Sequence, residues 1–162
     1  MQLPNQLILD TGPLVLLALS WFYEQTSSAA SLALKDSLAS NYTLEQLESL
    51  ESLSKRAHRV LLSPYCLAES TNLIKSRDQR LALAEIAGTL EPCRENSIGI
   101  LQHPRLPQLG VADVSLLLLA QNPRTYTLTA DGDLFEALCS ADCTVVYFSV
   151  KQDQQYIVSY PE

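Results

Sequence analysis

Residues 7–18 read LILDTGPLVLLA. Three apolar residues are enough for a short buried strand, and the second apolar run is long enough to open a buried helix. Pro13 falls at or near the first helical position, where its missing N–H costs nothing. The stretch therefore reads as strand (residues 6–10), turn, and helix through about Trp21. Asp10 sits at the turn between two segments that both want burial. It either forms an Asx-turn that starts the helix, or it serves something other than folding.

The same alternation recurs along the chain. TLEQLESLESLSKRA (43–57) is an amphipathic helix with leucines at 44, 47, 50 and 53 and Thr43 placed to cap it. RVLL (59–62) is a second strand, and Ser63-Pro64 supplies the cap and first position of a helix through about Lys75. A further helix is predicted over 77–90, and ENSIGILQ (95–102) suggests a short strand. From Gly110 to Gln121 a helix is expected, then a strand over 124–131, a helix over 133–140 and a last strand over 143–149. Residues 24–43, rich in Ser and Ala, carry no assigned element. Strands separated by helices favour a parallel sheet covered on both faces, joined by right-handed crossovers. Such sheets place functional groups beyond the carboxyl ends of their strands, where Asp10 and Asp131 both fall.

A chain of 162 residues is expected to form one domain, residues 1–162, burying about 70% of its unfolded surface. With 47% hydrophobic and 18% charged residues, its composition is that of an ordinary globular protein. The first basic side chain is Lys35, so the amino terminus lacks a signal peptide's basic region. No apolar run approaches the roughly 18 residues of a membrane span. A cytoplasmic protein with no membrane association is expected. Cys66, Cys93, Cys139 and Cys143 are too scattered for a disulfide framework and lack the partners of a zinc site. The net charge of −7 argues against holding nucleic acid by bulk electrostatics. Two local basic clusters, Lys55-Arg56-His58-Arg59 and Lys75-Arg77-Arg80, remain as solvated helix ends or as contacts for flanking phosphates.

Four carboxylates occupy positions a core would not choose: Asp10, Glu69 within an apolar helix, Asp113 about one turn into the most apolar helix, and Asp131. Each has a plain structural alternative. Glu69 can face water, Asp113 can favour the positive end of its helix dipole, and Asp131 can shape a turn. Asp133, with Glu136 three residues on, reads mainly as a helix cap, with an accessory metal role as the lesser alternative. Two carboxylates about 5 Å apart repel by about 3 kcal/mol at an effective dielectric near 20. Three such pairs would cost about 10 kcal/mol, close to a whole domain's stability. If the four converge they must bind protons or a cation, and oxygen-only ligands suit Mg²⁺ or Mn²⁺.

Four stretches, LILDTGPLVLLA, SPYCLAESTNLI, LGVADVSLLLLA and TLTADGDLFEAL, together resemble the PIN-domain family, which includes VapC-type toxins. The resemblance implies an α/β, three-layer α/β/α fold with a central parallel sheet of about five strands. It implies a divalent-metal-dependent endoribonuclease, with Asp10, Asp113 and Asp131 holding Mg²⁺ or Mn²⁺ and Glu69 completing the pocket. Thr11 or Thr129 would fix a carboxylate by hydrogen bonding. RNA is the implied substrate, an antitoxin protein a further partner, and a homodimer the implied assembly. The alternative is a PIN-like domain that binds RNA or protein without cleaving. LILDTG also resembles the start of haloacid dehalogenases, but the second Asp of that motif falls where Gly12 stands.

Overall fold

The computed structural model describes residues 5–148 and 157–159. Its central sheet is built from β1 (Gln6–Leu9), β2 (Arg59–Leu62), β3 (Glu91–Pro92), β4 (Thr125–Thr129), β5 (Thr144–Tyr147) and β6 (Ile157–Ser159), in the spatial order β3-β2-β1-β4-β5-β6. The first five strands are parallel, as expected; β6 pairs antiparallel with β5 at the edge. Ser149, the last residue of the predicted final strand, lies outside the described residues, and that strand ends at Tyr147.

The helices are α1 (Thr11–Ser27), α2 (Leu44–Arg56), α3 (Pro64–Leu73), α4 (Arg77–Thr89), α5 (Ser97–Gln102), α6 (Leu106–Ala120) and α7 (Gly132–Ser140). Right-handed crossovers put α1 to α4, which lead from β1 to β2 to β3, on one face of the sheet. The chain then returns past β1 to β4 and moves outward to β5, which puts α5 to α7 on the other face. The result is the three-layer α/β/α arrangement. The direction of winding reverses between β1 and β4, and the crevice beyond their carboxyl ends is the topological switch point where such folds bind ligands.

Local chemistry explains most boundaries. Leu7, Ile8 and Leu9 are buried, and α1 is buried almost all round, from Pro13 through Ser20, because it packs between the sheet and the neighbouring helices. It runs past Trp21 to Ser27, where Ser28 turns left-handed at φ 52°. Thr43 and Gln46 form a reciprocal capping box on α2 (Gln46 N–H to Thr43 Oγ1, 3.2 Å; Thr43 N–H to Gln46 Oε1, 2.8 Å). Leu47, Leu50 and Leu53 are buried, whereas Leu44 at its first turn is exposed.

Residues 24–43 fold as the end of α1, a 3₁₀ helix (Ala30–Lys35) and turns laid against α1, with Ala33 and Ala39 fully buried. Asp36 anchors them, accepting from Gln79 Nε2 at 2.7 Å and from the Leu38 N–H at 3.0 Å. ENSIGILQ is helix, not strand. Asn96 caps it by accepting from the Gly99 N–H at 3.0 Å, and only Ile100 is buried, so no alternating face exists to pair in a sheet. In α6 the backbone departs from helix at Gly110 (φ 84°), so the regular run into Asp113 starts just after it. Glycine tolerates that left-handed turn without a Cβ penalty. Among the described residues no helix is long and apolar enough to cross a membrane.

Candidate active site

Asp10, Glu69, Asp113 and Asp131 line one open cleft of about 360 Å³, together with Thr11, Gly12, Leu109 and Ala130. The cleft lies at the switch point. Asp10 follows β1 and caps α1, Asp131 follows β4 and caps α7, Glu69 projects from α3, and Asp113 opens the regular part of α6. Residues separated by as much as 121 positions in sequence (10 to 131) thus share one space. A second cavity of about 390 Å³, bordered by Leu17, Trp21, Val60 and Ile86, lies between α1, α2 and α4 and contains none of the four.

Two threonines knit three of the acids into a chain. The Thr11 N–H donates to Asp10 Oδ1 at 2.6 Å and its hydroxyl donates to Glu69 Oε2 at 2.9 Å. The Thr129 hydroxyl donates to Asp10 Oδ2 at 2.7 Å and accepts from the Asp131 N–H at 2.9 Å. Asp10 and both threonines are buried, so these bonds hold the carboxylates in fixed orientation. Both threonines singled out in sequence therefore touch acids. Asp113 accepts no hydrogen bond from another described residue and is half-buried.

The charge state follows from burial. Asp113 is pushed up to about 7, first by desolvation and then by the charges of Asp10, Asp131, Glu69 and Asp133. Asp10 is also raised: desolvation outweighs the lowering by the Thr129 and Thr11 bonds, and Asp131 and Glu69 add to it. That these carboxylates feel one another is the convergence that the sequence made conditional. The Cys66 thiol beneath them is pushed up to about 12 by burial and by Asp10, which leaves no thiolate nucleophile there.

One expectation changes. Asp133 does not cap α7. Asp131 occupies the capping position with an extended backbone, and its Oδ1 accepts from the Leu134 N–H at 2.9 Å. The Asp133–Glu136 capping box is out of register by two residues, and Asp133 is an exposed first-turn acid. On α3 the inward face is Cys66, Ser70 and Ile74, at four-residue spacing, with Leu67 partly buried beside it; Thr71 is exposed, as is Glu69. Lys55, Arg56, His58 and Arg59 lie around the amino end of β2, at the opposite edge of the sheet from the cleft.

Sequence reading missed Tyr42. Its hydroxyl lies 2.4 Å from where a Cβ on Gly12 would stand, so Gly12 admits the phenol where no other residue could without displacing it. Burial first, and then Asp10, raise the Tyr42 pKa, which keeps it a neutral phenol. Its only signal in sequence was a tyrosine in an unassigned segment.

The donor set fits a hard dication: carboxylate oxygens only, crowded enough to hold protons otherwise. Among the described residues, however, no three His, Cys, Asp and Glu side chains stand gathered as a ready-made metal cage. The acids surround a shared space without closing on a point. No family model matches the chain, and no curated protein matches it.

Proposed function

We propose that the protein is a divalent-metal-dependent endoribonuclease of the PIN-domain type, hydrolysing phosphodiester bonds in RNA. One observation carries this reading: four carboxylates from four separate segments line the switch-point cleft, and there the neighbouring acids add to burial in raising the proton affinity of Asp10 and Asp113. A protein that gained nothing from that repulsion would have no reason to keep it, because replacing one acid would relieve it.

Asp10, Asp113 and Asp131 would hold Mg²⁺ or Mn²⁺, with Glu69 at the rim. The chemistry such an ion supplies is acidification of water and neutralisation of charge at phosphorus. The chain's own residues do the rest. Thr129 aims Asp10 and fixes the backbone at Asp131, and Thr11 ties Glu69 to Asp10, so three acids keep their spacing as charge changes. Asp113, free of such bonds, is the acid able to shift toward a cation. The open cleft admits a phosphate of an extended strand, and Lys75, Arg77 and Arg80 lie at the end of α3 and the start of α4, on the helix pair that carries Glu69.

A second reading, RNA or protein binding without cleavage, draws on the absence of a closed cage among the described residues. Incubation with single-stranded RNA in Mg²⁺, in Mn²⁺ and in chelator separates the two. Cleavage is expected only with the ion, and is expected to fall about a thousandfold in Asp113→Asn, equivalent to about 4 kcal/mol of barrier. Tight RNA binding with no turnover under any divalent ion would reject the nuclease and leave the binding domain.

A further inference from the structure

Glu95 lies in the loop between β3 and α5, outside the four acids, and joins two elements that each carry one of them. Its Oε1 accepts from the Ser63 hydroxyl at 2.8 Å, and its Oε2 accepts from the Ser115 hydroxyl. Both serines are fully buried. Ser63 is the cap of α3: its Oγ also accepts from the Tyr65 and Cys66 N–H groups at 3.2 and 3.4 Å. Ser115 lies on α6, two residues beyond Asp113.

We propose that Glu95 is a positioning residue for the cleft, a bridge between α3 and α6 that makes Glu69 and Asp113 face the same space. This rests on the metal-dependent reading, because only a shared ion gives that spacing a use. Side chains two apart on a helix point about 200° from each other. Ser115 and Asp113 therefore occupy opposite sides of α6, and whatever holds Ser115 sets the rotation that aims Asp113. The break at Gly110 sharpens the need, since the turn before it cannot fix the rotation of the helix after it. At the other end, the bridge grips the atom that caps α3, about 9 Å of helical rise from Glu69. Buried hydroxyls need partners, and a carboxylate offers a separate oxygen to each serine, which an apolar side chain cannot.

The test is calorimetric titration of Mn²⁺ into the full chain, with thermal melts of every variant. Glu95→Ala is expected to weaken Mn²⁺ binding by about tenfold or more, the scale for groups that orient ligands. Glu95→Gln, which accepts from one serine and donates to the other, is expected to stay within about threefold of wild type. Glu51→Ala removes the bond from Ser20 (2.6 Å) far from the cleft; it is expected to lower the melting temperature and leave Mn²⁺ affinity unchanged. Unaltered affinity in Glu95→Ala overturns the bridge alone, as does an equal loss in Glu51→Ala. If Glu95→Ala does not fold, Ser115→Ala replaces it, and wild-type affinity there overturns the bridge. Wild-type protein that takes up no Mn²⁺ overturns the metal reading and this proposal together.

Discussion

The two edges of the sheet solve the problem of charge in opposite ways. At the amino edge, Arg59 meets Glu91, with Nε donating to Oε2 at 2.6 Å, and Lys55 meets Glu51 at 3.7 Å. Arg59 holds Glu91 below the usual carboxylate range. At the carboxyl edge, about 13 Å away across four residues of strand, Asp113 is raised to about 7 by burial and by four neighbouring acids. One edge pairs opposite charges in water; the other gathers like charges around one cleft, with Asp10 buried and Asp113 half-buried. Folding explains the first arrangement and is opposed by the second, which is why chemistry is assigned to the carboxyl edge.

The largest expected effect sharpens this contrast directly. Mn²⁺ at about 100 times its Kd stabilises by about 2.7 kcal/mol, a rise of about 5–10 °C in a chain of this size. Differential scanning fluorimetry should record that shift in wild type and lose it in Asp10→Asn. An equal shift in both would break the distinction between the edges.

Next comes pH. The pKa of Asp113 in the folded chain is above its ordinary 3.8, so its contribution is fully present below pH 4 and is lost as pH rises through about 7. The full shift is discounted because the group is half-exposed, which leaves about 1–2 kcal/mol. Metal-free wild type should therefore lose more stability than Asp113→Asn between pH 4 and 8, as read from denaturant midpoints. Parallel curves would mean that the acids do not share a field.

A smaller effect is expected at Thr129→Val, which keeps the shape and removes the hydroxyl between Asp10 and Asp131. Mn²⁺ affinity should fall by about tenfold with the fold retained, measurable by titration calorimetry. The smallest belongs to the amino edge. Arg59→Ala should leave both melting temperature and Mn²⁺ affinity unchanged within error, because the pair is exposed and exposed pairs contribute little. A clear loss of ion binding there would erase the asymmetry.

Much of this was legible in the chain. Short apolar runs bounded by turn residues located β1, β2, β4 and β5, and Ser63-Pro64 and Thr43 announced their helices through local capping chemistry. The four acids stood out because each interrupts an apolar pattern. What stayed hidden depends on contacts between distant segments. The bonds of Thr11 and Thr129 join elements 58 and 119 residues apart, and no local rule carries that. The cap of α7 was misplaced because three candidate acids, Asp131, Asp133 and Glu136, lie within six residues, and only backbone geometry selects one. Residues 95–102 misled because Ile98, Ile100 and Leu101 suggest burial, while two of the three face solvent.

The capping role of Asp131 has a consequence for how such a site would decay. Asp113 is a burden to the metal-free fold, so wherever the cleft needs no cation its replacement would be favoured. Asp131 secures the first turn of α7 whatever the cleft does, and only a residue with a comparable side-chain oxygen could succeed it. A related chain could then keep the second acid after losing the first, and Asp131 alone would be no sign that the cleft still has a use.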